Sequence, residues 1–147
     1  MSNHTPLDAH FEQGFFQLSH PSSWKTDFQE GENSWQLALQ GPSTAMILVA
    51  ADLDASVDEM LEATLFALKE DYPEMEVEGY KGELCGIPAR GFEIRFFSFD
   101  FSNICRLLAI PSDEGTILGL FQCDDYSFAE VGPVFESIRQ SMKLLGA

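Results

Sequence analysis

The chain has 147 residues, of which 45% are hydrophobic and 12% aromatic, and it carries 24 acidic against 8 basic side chains. This length and apolar content predict one globular domain with a sizeable core and exclude an intrinsically disordered chain. The net charge of −16 would repel nucleic acid and anionic membranes, so we expect neither as a partner. The three cysteines form no CxxC pair, and no signal-peptide or transmembrane pattern is present, which predicts a reduced, cytoplasmic protein.

The first part of the chain predicts a tail followed by strands. Residues 1–13 are polar and mixed, and we predict that they form a mobile tail ahead of a single α+β domain over residues 14–147. Alternating or continuous apolar runs, bounded by turn residues, then predict strands. These predicted strands are 14–19, 24–29, 34–40 and 44–51.

The strongest helix pattern begins at Ser56 and ends before Pro73, which cannot continue a helix. Ser56 and Glu59 have the spacing of a capping box, in which each side chain satisfies a backbone donor of the first turn. The opposite face from the apolar stripe is acidic, and Phe66 lies within it, about 150° from the stripe centre at 100° per residue. The inward positions at helical spacing are Val57, Leu61, Thr64, Leu65, Leu68 and Tyr72.

The stretch 85–123 contains three apolar runs separated by turn-like sequence, and it predicts an antiparallel meander at the centre of a sheet. Its alternation places Phe92, Ile94 and Phe96 inward, whereas the aromatic tip at 97–101 fits neither face. The predicted strands of this half are 74–84, 89–97, 104–110 and 116–123.

A final helix is predicted after the last strand, and it opens with a second capping box formed by Ser127 and Glu130. Two amphipathic helices need a sheet face on which to bury their apolar stripes. The sequence therefore predicts an α+β fold, a single curved antiparallel β-sheet with two main amphipathic helices packed on it. A disulfide between Cys105 and Cys123, on neighbouring strands, is geometrically possible but disfavoured in a reducing cytosol.

Three segments resemble the PsbP/DcrB-like superfamily. They are FFQLSHPSSW at 15–24, which resembles its opening strand, proline turn and tryptophan, GIPARGFEIRF at 86–96, which resembles its Gly-x-Pro-Ala strand entry, and FAEVGPVFESIRQSM at 128–142, which resembles its final helix. The superfamily includes a photosystem extrinsic subunit, a Ran-binding nuclear import factor, bacterial lipoproteins, and adaptors or chaperones for secreted effectors. The resemblance implies an α+β fold and a binding role rather than catalysis. The leaders of the lipoproteins and of the photosystem subunit have no counterpart in this sequence, which argues against those two roles.

No motif in the sequence predicts a catalytic site, a metal site or a cofactor. There is no Gly-x-Ser-x-Gly nucleophile elbow, no dinucleotide or P-loop glycine pattern, and no EF-hand spacing. The three histidines lie too far apart for a compact metal site. Neighbouring carboxylates such as Asp124 and Asp125 do not face one site on a strand, and Cys85 is the only cysteine placed to act as a nucleophile. We therefore predict that the protein is not an enzyme.

The sequence favours a non-catalytic binding or adaptor module of unknown biological role. Either the acidic helix face or an uncovered sheet face would hold a basic or amphipathic partner segment, because an exposed aromatic within a polar rim is typical of a contact anchor. The predicted contact residues are Glu59, Glu62, Phe66 and Glu70. Segment 52–83 as a whole carries eleven acids against two lysines. Two alternatives stay open: a small hydrolase or ligand-binding enzyme with a helix–sheet pocket, and an acidic inhibitor of a basic toxin or nuclease.

Overall fold

The computed structural model describes residues 6–98, 100–113 and 115–145. Within these ranges the chain forms ten strands and two helices. The strands are β1 (Ala9–Gln13), β2 (Phe16–His20), β3 (Lys25–Glu30), β4 (Ser34–Gln40), β5 (Met46–Asp52), β6 (Glu76–Leu84), β7 (Ile87–Ser98), β8 (Phe101–Ser112), β9 (Gly115–Asp124) and β10 (Lys143–Leu144), and the helices are α1 (Val57–Asp71) and α2 (Phe128–Ser141).

The strands of the described chain form two sheets. Seven of them make a large antiparallel sheet in the order β3-β4-β5-β9-β8-β7-β6, and a small antiparallel sheet has the order β1-β2-β10. The α+β class and the antiparallel meander are confirmed, but the prediction of a single sheet is wrong. β10 has only two residues, which is too short to leave an alternation pattern in the sequence.

Each face of the large sheet carries a packed layer. α1 packs over β8 and β9 on one face, where Leu61 meets Ile94 and Leu107. α2 and the small sheet pack on the other face, where Phe135 and Ile138 are buried. The cluster beneath α1 includes no residue of β3 or β4, so the α1 side of these two strands carries no packed layer within the described residues. No helix in these ranges is long and apolar enough to cross a membrane.

Part of the predicted tail is a strand. β1 pairs with β2 along its whole length, and the Phe11 ring packs on Phe28 with a centroid distance of 5.5 Å. The prediction of a mobile tail is therefore wrong for Ala9–Gln13, while residues 1–5 lie outside the described residues. The segment AHFEQ has one large apolar side chain, so it shows no alternation that would have indicated a strand.

The two helices begin differently. At α1 the capping box is confirmed, because Glu59 N donates to Ser56 Oγ at 3.1 Å and Ser56 N donates to Glu59 Oε1 at 3.0 Å. At α2 the box predicted for Ser127 and Glu130 is not formed. Instead, Ser127 N donates to Asp124 Oδ1 at 2.8 Å and Ser127 Oγ donates to Asp124 Oδ2 at 3.2 Å. The Asp124 carboxylate, three residues earlier, thus accepts the Ser127 N–H that the predicted box would have given to Glu130. It also makes the Ser127 hydroxyl a donor, whereas in the box that hydroxyl would accept from Glu130 N.

Candidate functional site

The four predicted contact residues lie along one exposed face of α1. Phe66 is 68% exposed, and Glu59, Glu62 and Glu70 are also exposed. Their separations of three or four residues align them along the helix axis. Glu59 closes the capping box, so its carboxylate has a structural role. Glu62 and Glu70 make no hydrogen bond or ion pair with the described chain, which leaves both carboxylates available to a partner.

A groove joins this helix to the bare half of the large sheet. Met60 on the flank of α1 lines it together with Ala50 and Asp52 of β5, and the groove has about 430 Å³ accessible to water. The other lining residues come from β5 and the β3–β4 hairpin: Gln29, Glu30, Gly31, Ser34, Trp35, Gln36 and Ala51. The groove therefore offers small apolar side chains with amides and acids beside them.

The aromatic tip of the β7–β8 hairpin is exposed. Phe97 is 77% exposed and Phe101 57% exposed, while Phe99 lies outside the described residues. Tyr126, in the loop that follows β9, is 94% exposed, and no pattern in the sequence marked it. Phe97 follows Phe96, which is buried in the cluster beneath α1, so the Phe97 side chain lies on the other side of the strand. Phe97 therefore provides a matched exposed phenylalanine outside the α1 face, against which Phe66 can be tested.

Cys85 is not placed as a nucleophile. It lies in the turn between β6 and β7, where Cys85 and Gly86 both have positive φ, 56° and 74°, as a two-residue type I′ hairpin turn requires. Burial raises the pKa of the Cys85 thiol to about 12, which is the opposite of the change that activates a cysteine. In the ranges that the structure describes, no group of three or more His, Cys, Asp or Glu side chains could hold a metal ion.

The cysteines belong to separate layers. Cys105 is buried beneath α1, whereas Cys123 is buried on the opposite face of the sheet beneath α2. Neighbouring strands therefore do not bring their sulfurs together, and all three cysteines are free. Burial raises the pKa of the Cys105 thiol to about 12.

We expect the native thiols to react slowly with Ellman's reagent. At pH 8 a thiol with a pKa near 12 is ionised to roughly one part in ten thousand, against about a quarter for an unperturbed cysteine. The reaction should release little product from the native protein and three equivalents in guanidinium chloride, since the chain has three cysteines. Rapid release of one equivalent of product from the native protein would contradict this prediction and would again make Cys85 a candidate nucleophile.

Comparison with known proteins gives structural neighbours only, because no family model and no curated protein matches the chain. PA94 of Pseudomonas aeruginosa, of unknown function, is 14% identical over 89% of this chain and 91% of that chain, with a TM-score of 0.54. LpqN of Mycobacterium tuberculosis, involved in cell envelope biogenesis, is 13% identical over 89% and 83%, with a TM-score of 0.52. The PsbP of Synechocystis, CyanoP, is 9% identical over 92% and 91%, with a TM-score of 0.58.

The fold is PsbP-like. This confirms the fold that the sequence resemblance implied. Identities this low establish the architecture alone, so the binding role that the resemblance implied stays a prediction.

Proposed function

We propose that this protein is a non-catalytic binding module that holds a basic or amphipathic segment of a partner protein against α1. The observation that carries the proposal is Phe66, which is 68% exposed in the acidic face of the helix. A lone exposed apolar residue is ordinary on a protein surface. Here, however, the ring has unpaired carboxylates at Glu62 and Glu70 on either side of it, so apolar contact and charge pairing are available at one place.

The two kinds of contact would contribute differently. Burying a phenylalanine side chain stabilises a complex by roughly 1.5–3 kcal/mol, whereas an exposed ion pair contributes about 0–1 kcal/mol. Phe66 would therefore supply most of the affinity. The acids would attract a basic partner and increase its association rate, an effect that salt suppresses.

The groove beside Met60 extends this surface. An amphipathic segment that contacts Phe66 could place further side chains over the part of β4 and β5 that α1 leaves uncovered, where Ala38 and Ala50 are half-buried. Gln36 and Asp52, which line the groove, could receive its polar groups. The names of the three structural neighbours state no catalytic activity, which is compatible with a binding role.

The partner can be identified by cross-linking from within the proposed surface. A photoreactive phenylalanine analogue at position 66, introduced in the native cells, should capture a protein rich in lysine or arginine. The same analogue at position 97, which is also exposed, is the control. Capture of an identical set of proteins from both positions would contradict the assignment to α1. A captured toxin or nuclease would favour the inhibitor alternative.

With the purified partner, we expect Phe66→Ala to weaken binding by roughly ten-fold or more, because the buried ring is lost. We expect Glu62→Lys to lower the association rate and to reduce its dependence on salt. Biolayer interferometry between low and high salt measures both effects, and Phe97→Ala should leave them unchanged. The proposal would be contradicted if the affinity for the partner did not depend on ionic strength. It would also be contradicted if the double variant Phe66→Ala, Glu62→Lys bound the partner with unchanged affinity.

A further inference from the structure

An arginine occupies the face of β8 that packs towards α2. Arg106 alternates along the strand with Ile104 and Leu108, which are buried, and its own side chain is 29% exposed. Its guanidinium carbon lies 4.9 Å from the centroid of the Tyr80 ring and 5.0 Å from that of the Phe128 ring. The contacts with these two rings thus hold the planar guanidinium of Arg106 in a defined orientation between the sheet and α2.

The guanidinium of Arg106 has an unused edge. Its Nε donates to Glu93 Oε1 at 2.9 Å, but Nη1 and Nη2 donate no hydrogen bond to any residue that the structure describes. Arg139, by contrast, uses all three nitrogens, on the Glu136 carboxylate and on the Glu83 carbonyl. The two Nη groups of an arginine form a flat fork that matches the two oxygens of a carboxylate.

The acids near this fork are already engaged by other arginines. Glu136 pairs with Arg139 at 2.5 Å, and Glu93 faces Arg95 at 3.7 Å in addition to its bond with Arg106. Three arginines therefore gather on this side of the sheet, in a chain whose net charge is −16. Because these acids are paired with Arg139 and Arg95, they leave the two Nη groups of Arg106 free for an incoming anion.

A cavity lies beside the fork, between α2 and the sheet. Its empty volume, including the mouth, is about 350 Å³, but only about 20 Å³ admits the centre of a water molecule, which is room for about one water. The inner end is thus the size of a single polar group, and anything larger must extend into the mouth. The lining consists of Tyr80, Arg106, Leu108, Phe121, Phe128, Gly132, Phe135, Glu136 and Arg139.

We propose that this cavity binds a small monocarboxylate with a flat or short apolar body. The carboxylate accepts hydrogen bonds from Nη1 and Nη2 of Arg106, and the body lies in the mouth against the rings of Tyr80 and Phe128. If these arginines and acids served only to join α2 to the sheet, the two Nη groups of Arg106 would not need to be left without a partner. This site lies on the opposite face of the sheet from α1, so it is independent of the partner surface around Phe66.

The test is a titration of the protein with benzoate, followed by ¹H–¹⁵N correlation spectra at neutral pH. We expect saturable shifts with a millimolar dissociation constant at the amides of Tyr80, Phe128 and Gly132 and at the Nε–H of Arg106. Benzamide has the same shape without the charge, and it should bind at least roughly ten-fold more weakly. Shifts that stay linear to high concentration, or equal affinity for benzamide, would overturn the proposal.

Two variants separate recognition from folding. Arg106→Lys keeps the charge but removes the fork, and it should weaken benzoate binding by at least roughly ten-fold. Gly132→Leu keeps Arg106 and fills the cavity from the helix side, where the nearest neighbours of an added Cβ are atoms of the Phe128 ring, at 3.4 Å and beyond. It should abolish the saturable shifts. Phe66→Ala is the control and should bind benzoate like the unaltered protein. If Arg106→Lys and Gly132→Leu both bind benzoate with unchanged affinity, the assignment of the site is overturned.

Discussion

Replacing Gly91 by alanine is expected to lower the free energy of unfolding by about 3 kcal/mol or more. Gly91 lies in β7, and a Cβ at this position would come within 3.0 Å of the backbone carbonyl of Leu107 in β8. The obstacle is backbone in a central strand, so it cannot move aside as a flexible side chain would. Because domains are stable by only about 5–15 kcal/mol in total, the loss is a large fraction of the stability.

Gly79→Ala is the matched control. Gly79 lies in the edge strand β6, and a Cβ there would have nothing within 4 Å. Its backbone φ is not positive, so alanine is tolerated, and the restricted unfolded chain can even raise stability by about 0.4–1 kcal/mol. Urea denaturation of the two variants measures the difference. Equal midpoints for Gly91→Ala and Gly79→Ala would contradict the close approach of β7 to β8.

Asp124→Ala is expected to cost about 2–4 kcal/mol, because a nearly buried carboxylate accepts several hydrogen bonds. Asp124 is 5% exposed, and its Oδ2 accepts from Thr44 Oγ1 at 2.6 Å. The same carboxylate accepts from both donors of Ser127 at the start of α2. Removing it leaves the β4–β5 turn and the helix start without their common acceptor. Asp113→Asn, in the exposed turn between β8 and β9, is the control and should change stability little.

The Asp124 carboxylate also makes the free energy of unfolding depend on pH, and the sign of that dependence follows from its pKa. The hydrogen bond from the Thr44 hydroxyl, followed by those from Ser127, lowers the pKa of Asp124 below its ordinary value. A carboxyl whose pKa is lower in the folded state stabilises the fold above its unfolded pKa, about 3.9, and loses that contribution as pH falls through the folded pKa. Asp124→Asn should therefore lose stability at pH 7 and show a flatter acid limb below about pH 4. An acid limb identical to that of the unaltered protein would contradict the assignment.

Much of the large sheet could be predicted because apolar side chains recur at the period of a strand. In the predicted strand 34–40, Leu37 and Leu39 recur at that period, and both are fully buried in β4. The start of α1 was equally predictable, since its capping box joins Ser56 and Glu59, three residues apart. The exposure of Phe66 followed from the helical period as well. In each of these cases the deciding interaction is local in the sequence.

The features that the sequence did not predict depend mostly on contacts between distant parts of the chain. Asp124 is separated by eighty residues from Thr44, its principal partner, so the sequence showed only a carboxylate that follows the last predicted strand. Arg106 is an inward charge within an apolar strand, and alternation alone cannot show the Tyr80 and Phe128 rings that receive it. The small sheet was missed for two reasons: β1 shows no alternation, and the two-residue β10 is brought to β2 from the far end of the described chain.

The strand order of the large sheet has a consequence for how the chain folds. Successive hairpins build β3-β4-β5 and β6-β7-β8-β9, and a single pairing, β5 with β9, joins the two meanders. The β5–β9 pairing, called the seam below, closes a loop that contains all of the chain between Asp52 and Thr116. The chain therefore loses the entropy of closing this loop before the contacts of the seam can stabilise it. We therefore expect the two meanders to assemble early and separately, and the docking of β5 on β9 to set the folding rate. Changes along this seam would slow folding, whereas changes in the outer hairpins would mainly speed unfolding.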